Sequence, residues 1–164
     1  MNILFKPMTQ EHALEVMDIF NYYIKNSYAA YPESPLPVEF FMKVLEMTKG
    51  YPAFVIQDTD TNTIRGFCFL RAYNPFPTFH ETAEITYFLR HSDVGKGIGK
   101  KALERLEEEA KRRGIKNILA NISSENEHSI QFHLKNGFRE CGRFHQIGRK
   151  NGKSFDVVWM EKAI

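Results

Sequence analysis

The sequence has few cysteines, little net charge and no long apolar run. Its 164 residues include only Cys68 and Cys141, and neither has a His or a second Cys at metal-ligand spacing. Both are expected to be reduced thiols packed in apolar surroundings, and no metal site is predicted. The formal net charge of +2 is too small for the dense basic face of a nucleic-acid-binding domain. Because neither a signal-peptide pattern nor a membrane span is found, we expect a cytoplasmic protein with no membrane partner.

The sequence also lacks internal repeats and low-complexity linkers. Hydrophobic residues make up 43% of the chain and charged residues 26%, a balance that argues against extensive disorder. A length of 164 residues suits a single hydrophobic core. Residues 1–164 are therefore predicted to form one domain with one functional site.

Strand patterns and helix patterns alternate along the chain. β-branched and aromatic runs predict strands, and apolar residues at helical spacing after Thr9 predict the first of four helices. The predicted order is strand 3–5, a helix after Thr9, helix 38–47, strands 53–57, 66–70 and 83–89, helix 100–113, strand 117–122, helix 127–135, and two strands joined at Asn151-Gly152. This order predicts an α+β fold in which helices cover a sheet.

A glycine-rich loop, Gly95-Lys96-Gly97-Ile98-Gly99-Lys100, lies between a predicted strand and the longest predicted helix. Glycines allow a tight turn and a close approach to an anion, while free N–H groups at a helix start and nearby lysines favour a pyrophosphate. No Ser or Thr follows Lys100, and the glycine spacing differs from the dinucleotide-binding pattern. A phosphate cradle and a purely structural turn both stay open on this pattern alone.

Two longer segments give the loop a context. Residues 82–99, which end in the glycine loop, resemble motif A of the GNAT superfamily of acetyltransferases, and residues 125–138 resemble its motif B. Within the superfamily the chain is most similar to the phosphinothricin acetyltransferase group, which shares a His in the second motif and a tail like residues 148–158. The resemblance implies a mixed, mostly antiparallel central sheet flanked by helices on both faces, acetyl-coenzyme A as co-substrate, and a homodimer.

The resemblance also implies contacts with the cofactor. Strand backbone N–H groups would pair with the pantetheine arm, the glycine loop would hold the pyrophosphate, and motif B would add side-chain contacts. The implied residues are Tyr87, Phe88, Leu89, Gly95, Lys96, Gly97, Ile98, Gly99, Lys100, Asn126 and Ser129. A backbone N–H near Phe88 would meet the oxyanion formed during transfer, because strand pairing is commonly interrupted there in the family. Val94 replaces the family's usual Gln or Arg, so a lower cofactor affinity is expected.

Acetyl transfer to an amine needs a base, because a free alkylamine is protonated at pH 7. Glu84 stands at the position of the family's catalytic glutamate and would act through water or a raised pKa; the alternative is a solvated charge at a strand end. His133 shares a predicted helix face with Ile130 and Leu134 and would protonate the leaving thiolate; a hydrogen-bonded core histidine is the equal alternative. Direct attack by the amine is expected, since no activated Cys or Ser is found.

The loop before strand 83–89 bears on the acceptor. The phosphinothricin group typically has an Arg and a Tyr there, whereas this chain has Phe76 and Phe79, with Arg71 further back on the preceding strand. These three residues are the predicted substrate contacts, and a less polar acceptor than phosphinothricin is expected. The predicted function is acetyl transfer to the primary amine of a small amino-acid-like or amine substrate. Protein N-terminal acetylation and non-catalytic acyl-coenzyme A sensing are the alternatives.

Overall fold

The computed structural model describes residues 1–164 and contains a seven-stranded sheet with four α-helices. The strands are β1 Ile3–Pro7, β2 Ala53–Asp58, β3 Thr63–Ala72, β4 Thr82–Leu89, β5 Asn117–Ser123, β6 Arg139–Lys150 and β7 Lys153–Ala163. The helices are α1 Ala13–Asn26, α2 Phe41–Met47, α3 Ile98–Arg112 and α4 Glu127–Lys135. Every predicted helix and strand is present, with ends displaced by a few residues. None of the helices combines the length and the apolar character needed to cross a membrane.

The strand order in the sheet is β1-β2-β3-β4-β5-β7-β6. Every neighbouring pair is antiparallel except β4 and β5. Those two are parallel because α3 connects them, and a crossover of this kind returns the chain in the same direction. The predicted mixed, mostly antiparallel sheet is therefore confirmed.

The helices cover both faces of the sheet, as predicted. One core lies under α3 and α4 and includes Ile85, Leu106 and Ile118; the other lies under α1 and α2 and includes Val16 and Phe67. Alternate residues of each strand enter opposite cores, since successive side chains of a strand point to opposite faces. Ile85 points towards α3, so the side chain of Glu84 lies on the α1 face.

β4 and β5 separate after a short paired segment, here called the fork. Only Thr82–Glu84 of β4 pairs with Asn117–Leu119 of β5. On its other side β4 stays paired with β3 in one continuous register as far as Leu89. No bulge interrupts the β3 side of β4 at Phe88, so the interruption of pairing expected there is found only on the β5 side, where it begins after Glu84.

The direction of each backbone N–H in β4 follows from that register. The Arg90 N–H donates to the Arg65 carbonyl at 2.7 Å. Because N–H directions alternate along an antiparallel ladder, Phe88 also directs its N–H towards β3, whereas Tyr87 and Leu89 direct theirs into the fork. The Phe88 N–H is thus unavailable to an oxyanion or to a pantetheine arm.

Two smaller predictions about packing are corrected. Cys68 is fully buried, but Cys141 is exposed, because it lies on the edge strand β6, whose side chains are almost all exposed. On α4, Ile130 and His133 are buried while Leu134 is 46% exposed. The helix therefore presents a narrower apolar face to the sheet than its sequence predicts.

Candidate active site

Glu84 is the last residue of β4 that pairs with β5, so its carboxylate lies at the fork. The side chain is only 12% exposed, and its Oε2 atom lies 3.6 Å from Nη2 of Arg71, the residue opposite on β3. Burial raises the pKa of Glu84, and the positive charge of Arg71 partly opposes that rise. The carboxylate is not a solvated strand-end charge, and a raised pKa makes it a stronger base.

Arg71 has hydrogen-bonding capacity that the chain does not use. Its Nε is buried without a partner, and the acceptor of Nη1 is the Sδ atom of Met47 at 3.9 Å. The side chain is 42% exposed. A guanidinium has five N–H donors in one plane, and this geometry suits a carboxylate. Arg71 could therefore bind an anionic group next to Glu84.

His133 is held in one protonation state by its neighbours. The side chain is 3% exposed, and Nδ1 lies 2.6 Å from the Ser129 carbonyl, so Nδ1 must be the protonated donor. Nε2 then accepts the hydroxyl of Tyr87. Burial lowers the pKa of His133 to about 4. The ring is neutral and has no spare proton for a thiolate, which favours the core-histidine alternative.

The glycine loop leaves an open surface at the start of α3. Gly95 and Gly97 have φ values of +83° and +80°, and no atom lies within 4 Å of a Cβ placed on either residue. Gly97 is the N-cap, so the free N–H groups begin at Ile98, whose side chain is buried. Gly99 differs, because a Cβ placed on it would lie 3.5 Å from the Phe132 ring of α4, an ordinary van der Waals contact. The open turn and the free N–H groups fit a pyrophosphate.

The lysines of the loop are less free than the sequence indicates. Lys96 Nζ lies 3.1 Å from Oδ1 of Asp93, a carboxylate that is fully buried. Arg65 Nη1 lies 3.7 Å from the other oxygen of Asp93, and Lys100 is 3.9 Å from Glu104. No motif in the sequence singles out Asp93, which precedes the loop. It ties the start of the loop to β3 through Arg65.

Backbone groups in the fork and the start of α4 provide further polar contacts for a cofactor. Tyr87 and Leu89 direct their N–H groups into the fork, as the β3–β4 register requires. The Leu89 carbonyl is already occupied, because it accepts the Tyr23 hydroxyl at 2.5 Å. Asn126 is the N-cap of α4, and its Oδ1 accepts the Ser129 N–H at 3.2 Å. The Nδ2 group of Asn126 makes no bond within the chain. The extended arm of a thioester cofactor fits these donors.

The predicted aromatic contacts of the acceptor are not packed into a pocket. Phe76 is 68% exposed, and Phe79 is 40% exposed and lies edge-on against Tyr73 with centroids 5.7 Å apart. The pKa of Tyr31 is raised to about 12 by burial and, to a lesser extent, by the charge of Glu84. No motif in the sequence singles out Tyr31, which lies in a proline-rich loop.

A forked sheet, an open glycine turn at a helix start and a largely buried carboxylate fit an acyl-coenzyme A-dependent transferase. The comparison with known families agrees: the model of the acetyltransferase (GNAT) domain matches residues 9–159. The chain belongs to the GNAT acetyltransferases.

Two curated relatives confirm the similarity to the phosphinothricin group. An L-methionine sulfoximine/L-methionine sulfone acetyltransferase of Pseudomonas aeruginosa is 29% identical over 148 residues, which cover 89% of this chain and 86% of the relative. A phosphinothricin N-acetyltransferase of Streptomyces coelicolor is 25% identical over 162 residues, 97% of this chain and 95% of the relative. The chain is therefore an acetyl-coenzyme A-dependent N-acetyltransferase.

Solved structures share the whole fold. A ribosomal-protein-alanine N-acetyltransferase from Brucella melitensis is 28% identical with a TM-score of 0.90, and the alignment covers 98% of this chain and 99% of that one. A protein from Salmonella typhimurium, solved with its cofactor acetyl-CoA, is 25% identical with a TM-score of 0.90, over 99% of this chain and 94% of that one.

Proposed function

We propose that this chain acetylates the primary amine of a small amino-acid-like or amine substrate by direct attack on acetyl-coenzyme A. The observation that carries the proposal is the buried Glu84 carboxylate at the fork, beside the partly unsatisfied Arg71. A non-catalytic sensor would need the glycine loop but no buried base.

In the proposed reaction, Glu84 accepts a proton from the bound ammonium, directly or through water, and the free amine forms the new C–N bond as the C–S bond breaks. Acetyl-coenzyme A would be held by the N–H groups of Tyr87 and Leu89, by the turn from Gly95 to Lys100 and by Asn126. Because His133 is neutral, we propose that water carries the second proton of the attacking nitrogen to the leaving thiolate.

Replacement Glu84→Gln tests the base. We expect turnover near neutrality to fall by about a hundredfold or more, with partial recovery at high pH where the amine loses its proton unaided. Thiol release from acetyl-coenzyme A measures the rate. The matched control is Glu81→Gln, since Glu81 lies next to the same strand but is 47% exposed and paired with Lys116. Full activity of Glu84→Gln at pH 7 would remove the base from the proposal.

The proposal has two versions, which differ in the polarity of the acceptor amine. The aromatic loop with Phe76 and Phe79 favours a less polar amine, whereas the free donors of Arg71 favour a carboxylate. Kinetics on phosphinothricin, methionine sulfoximine and uncharged amines separate the two. We expect poor turnover of phosphinothricin; efficient turnover that Arg71→Ala abolishes would assign carboxylate recognition to Arg71.

Protein N-terminal acetylation is the second candidate, and the Brucella structure favours it by its fold and its 28% identity. That likeness concerns a protein whose acceptor is a ribosomal protein. The two candidates differ in the space in front of Glu84, because a peptide needs an open groove and a small amine does not. A panel of amines and peptides with acetyl-coenzyme A separates them by thiol release.

A further inference from the structure

Residues 27–33, here called the strap, follow α1 and lie over the face of the sheet that carries Glu84. Their aromatic side chains pack against β7, where Tyr28 and Tyr31 lie on the Phe155 ring with centroids 5.7 and 5.6 Å away. Phe155 is buried beneath them. The strap is therefore part of the packed structure rather than a solvated connection.

A buried ammonium from β6 anchors the strap. Lys150 is 2% exposed, and its Nζ donates to the carbonyls of Ile24 at 2.7 Å, Ser27 at 2.8 Å and Ala30 at 2.7 Å. All three of its N–H donors are used. The last carbonyls of a helix lack partners in the helix and attract a cation, so Lys150 stabilises the end of α1 together with the strap.

The far end of the strap is fixed as well. The Asn151 N–H donates to Oε1 of Glu33 at 3.0 Å, at the turn between β6 and β7. With Lys150 at one end and Glu33 at the other, the backbone of Tyr31 has little freedom to move away from the sheet. The position of the Tyr31 side chain is therefore fixed by the packing of the strap.

Tyr31 reaches from the strap to β5. Its hydroxyl donates to Oδ1 of Asn121 at 2.5 Å. Asn121 lies beyond the fork, where β5 no longer pairs with β4, and its buried neighbours Ala120 and Ile122 face α3, so its side chain shares the face of Glu84. The Tyr31 hydroxyl, bonded to Asn121, therefore lies on the same side of the sheet as Glu84.

We infer that Tyr31 is a specificity-determining residue: its bridge to Asn121 closes the acceptor site on the β5 side, so that a small free amine enters and a polypeptide N-terminus does not. The inference rests on the proposed acetyl transfer at Glu84. A peptide bound with its amine at Glu84 must continue outwards as an extended chain, and the bridged Tyr31 ring occupies the space over β5 that such a chain would need.

Two variants test this role. Tyr31→Ala removes the ring, and Tyr31→Phe removes only the bridge and stays informative if the first variant fails to fold. The control is Tyr22→Ala, because Tyr22 lies on α1 with a similar exposure, 39% against 41% for Tyr31. The acceptors are the best small amine from the thiol-release panel and a hexapeptide with a free N-terminal alanine. The readouts are kcat and KM for each acceptor and KM for acetyl-coenzyme A.

We expect the unaltered protein to prefer the small amine by about a hundredfold or more in kcat/KM. Tyr31→Ala should raise KM for the small amine and increase kcat/KM for the hexapeptide, each by about tenfold, with KM for acetyl-coenzyme A unchanged. Tyr31→Phe should change KM for the small amine and kcat/KM for the hexapeptide in the same directions, but by smaller factors. Tyr22→Ala should change neither.

Comparable use of both acceptors by the unaltered protein, or an equal change for both acceptors in the Tyr31 variants, would overturn the inference and leave acetyl transfer intact. Failure to acetylate any amine would overturn the proposed function as well. The two failures are therefore distinguishable.

Discussion

At the scale of single residues, burial changes the pKa of two groups on opposite faces of the sheet. It raises the pKa of Glu84, which favours the neutral acid, and lowers that of His133 to about 4, which favours the neutral imidazole. Both shifts follow from the cost of placing a charge away from water. Their consequences differ, because Glu84 is next to Arg71 and the fork, whereas His133 is enclosed by Tyr87 and Ser129.

The lowered pKa of His133 predicts a loss of stability in acid. The unfolded chain binds a proton at this residue below about pH 6.5, while the folded chain resists protonation until about pH 4. The contribution of His133 to the free energy of unfolding is therefore fully present above pH 6.5. It declines as the pH falls towards 4, by about 3 kcal/mol in all. Urea unfolding at pH 7.5 and 5 should show a smaller pH dependence for His133→Gln than for the exposed His128→Gln.

The same variant tests the role of His133 in the reaction. We expect His133→Gln to keep most of its turnover when assayed at a temperature where it is folded, since the neutral ring has no proton to give. A loss of turnover as large as that of Glu84→Gln, with normal affinity for acetyl-coenzyme A, would restore His133 as the acid.

Arg71 sets how far the pKa of Glu84 rises. Replacing Arg71 with Met removes the opposing positive charge, so the pKa of Glu84 should rise further. The acid limb of the kcat/KM profile should then move to higher pH, measured with an amine that has no carboxylate so that carboxylate binding plays no part. Arg71→Lys is the control, because it keeps the charge. An unchanged acid limb in Arg71→Met would show that Arg71 does not affect the pKa of the catalytic base.

At the scale of elements, the turn from β4 into α3 carries a prediction about cofactor binding. Gly97→Val should weaken acetyl-coenzyme A binding, measured by calorimetry, because a side chain would stand where the backbone must approach a phosphate. The positive φ also costs about 1–2 kcal/mol of stability. Gly114→Val is a matched control, since Gly114 has φ +77° with open space around it, at the far end of α3. Equal affinities of the two variants would remove the loop from the site.

The elements that the sequence predicts well are those with local signals. The turn at Gly97, the strand of Glu84 and the helix of His133 each follow from residues close in the chain. The role of Tyr31 depends on Lys150, more than a hundred residues away, and the hydrogen bond to Nε2 of His133 depends on Tyr87, 46 residues away. Such contacts exist only after the sheet and helices have packed, so no local pattern encodes them. The direction of the Phe88 N–H could not be predicted for the same reason, because it follows from the register.

At the scale of the molecule, the outer strand β6 bears on assembly. Its side chains are almost all exposed and include Phe144 and Ile147, 54% and 58% exposed. The register with β7 shifts between Phe144 and Gly148, so this edge is bulged and poorly suited to accept another strand. We propose that these side chains, rather than edge pairing, form the surface of a homodimer.

Light scattering tests the dimer. We expect a mass of about twice 19.1 kDa for the unaltered protein and a shift to the monomer when Phe144 and Ile147 are both replaced by Ser, since burial of their apolar surface would be lost. Leu14→Ser is the control, because Leu14 is 72% exposed on α1. A monomeric unaltered protein would reject the homodimer, and a dimeric double variant would place the interface elsewhere.

The position of β7 between β5 and β6 affects the order in which the parts can form during synthesis. β6 has no other neighbour in the sheet, so it cannot pair until β7, which follows it, has left the ribosome. Lys150 lies at the end of β6, and the strap therefore waits for residues made some 120 positions later. The cofactor half, from β4 through the start of α4, precedes β6 in the chain, so we expect it to form while the acceptor half is still open. A nascent chain would thus be able to bind acetyl-coenzyme A before its site for the acceptor amine is complete.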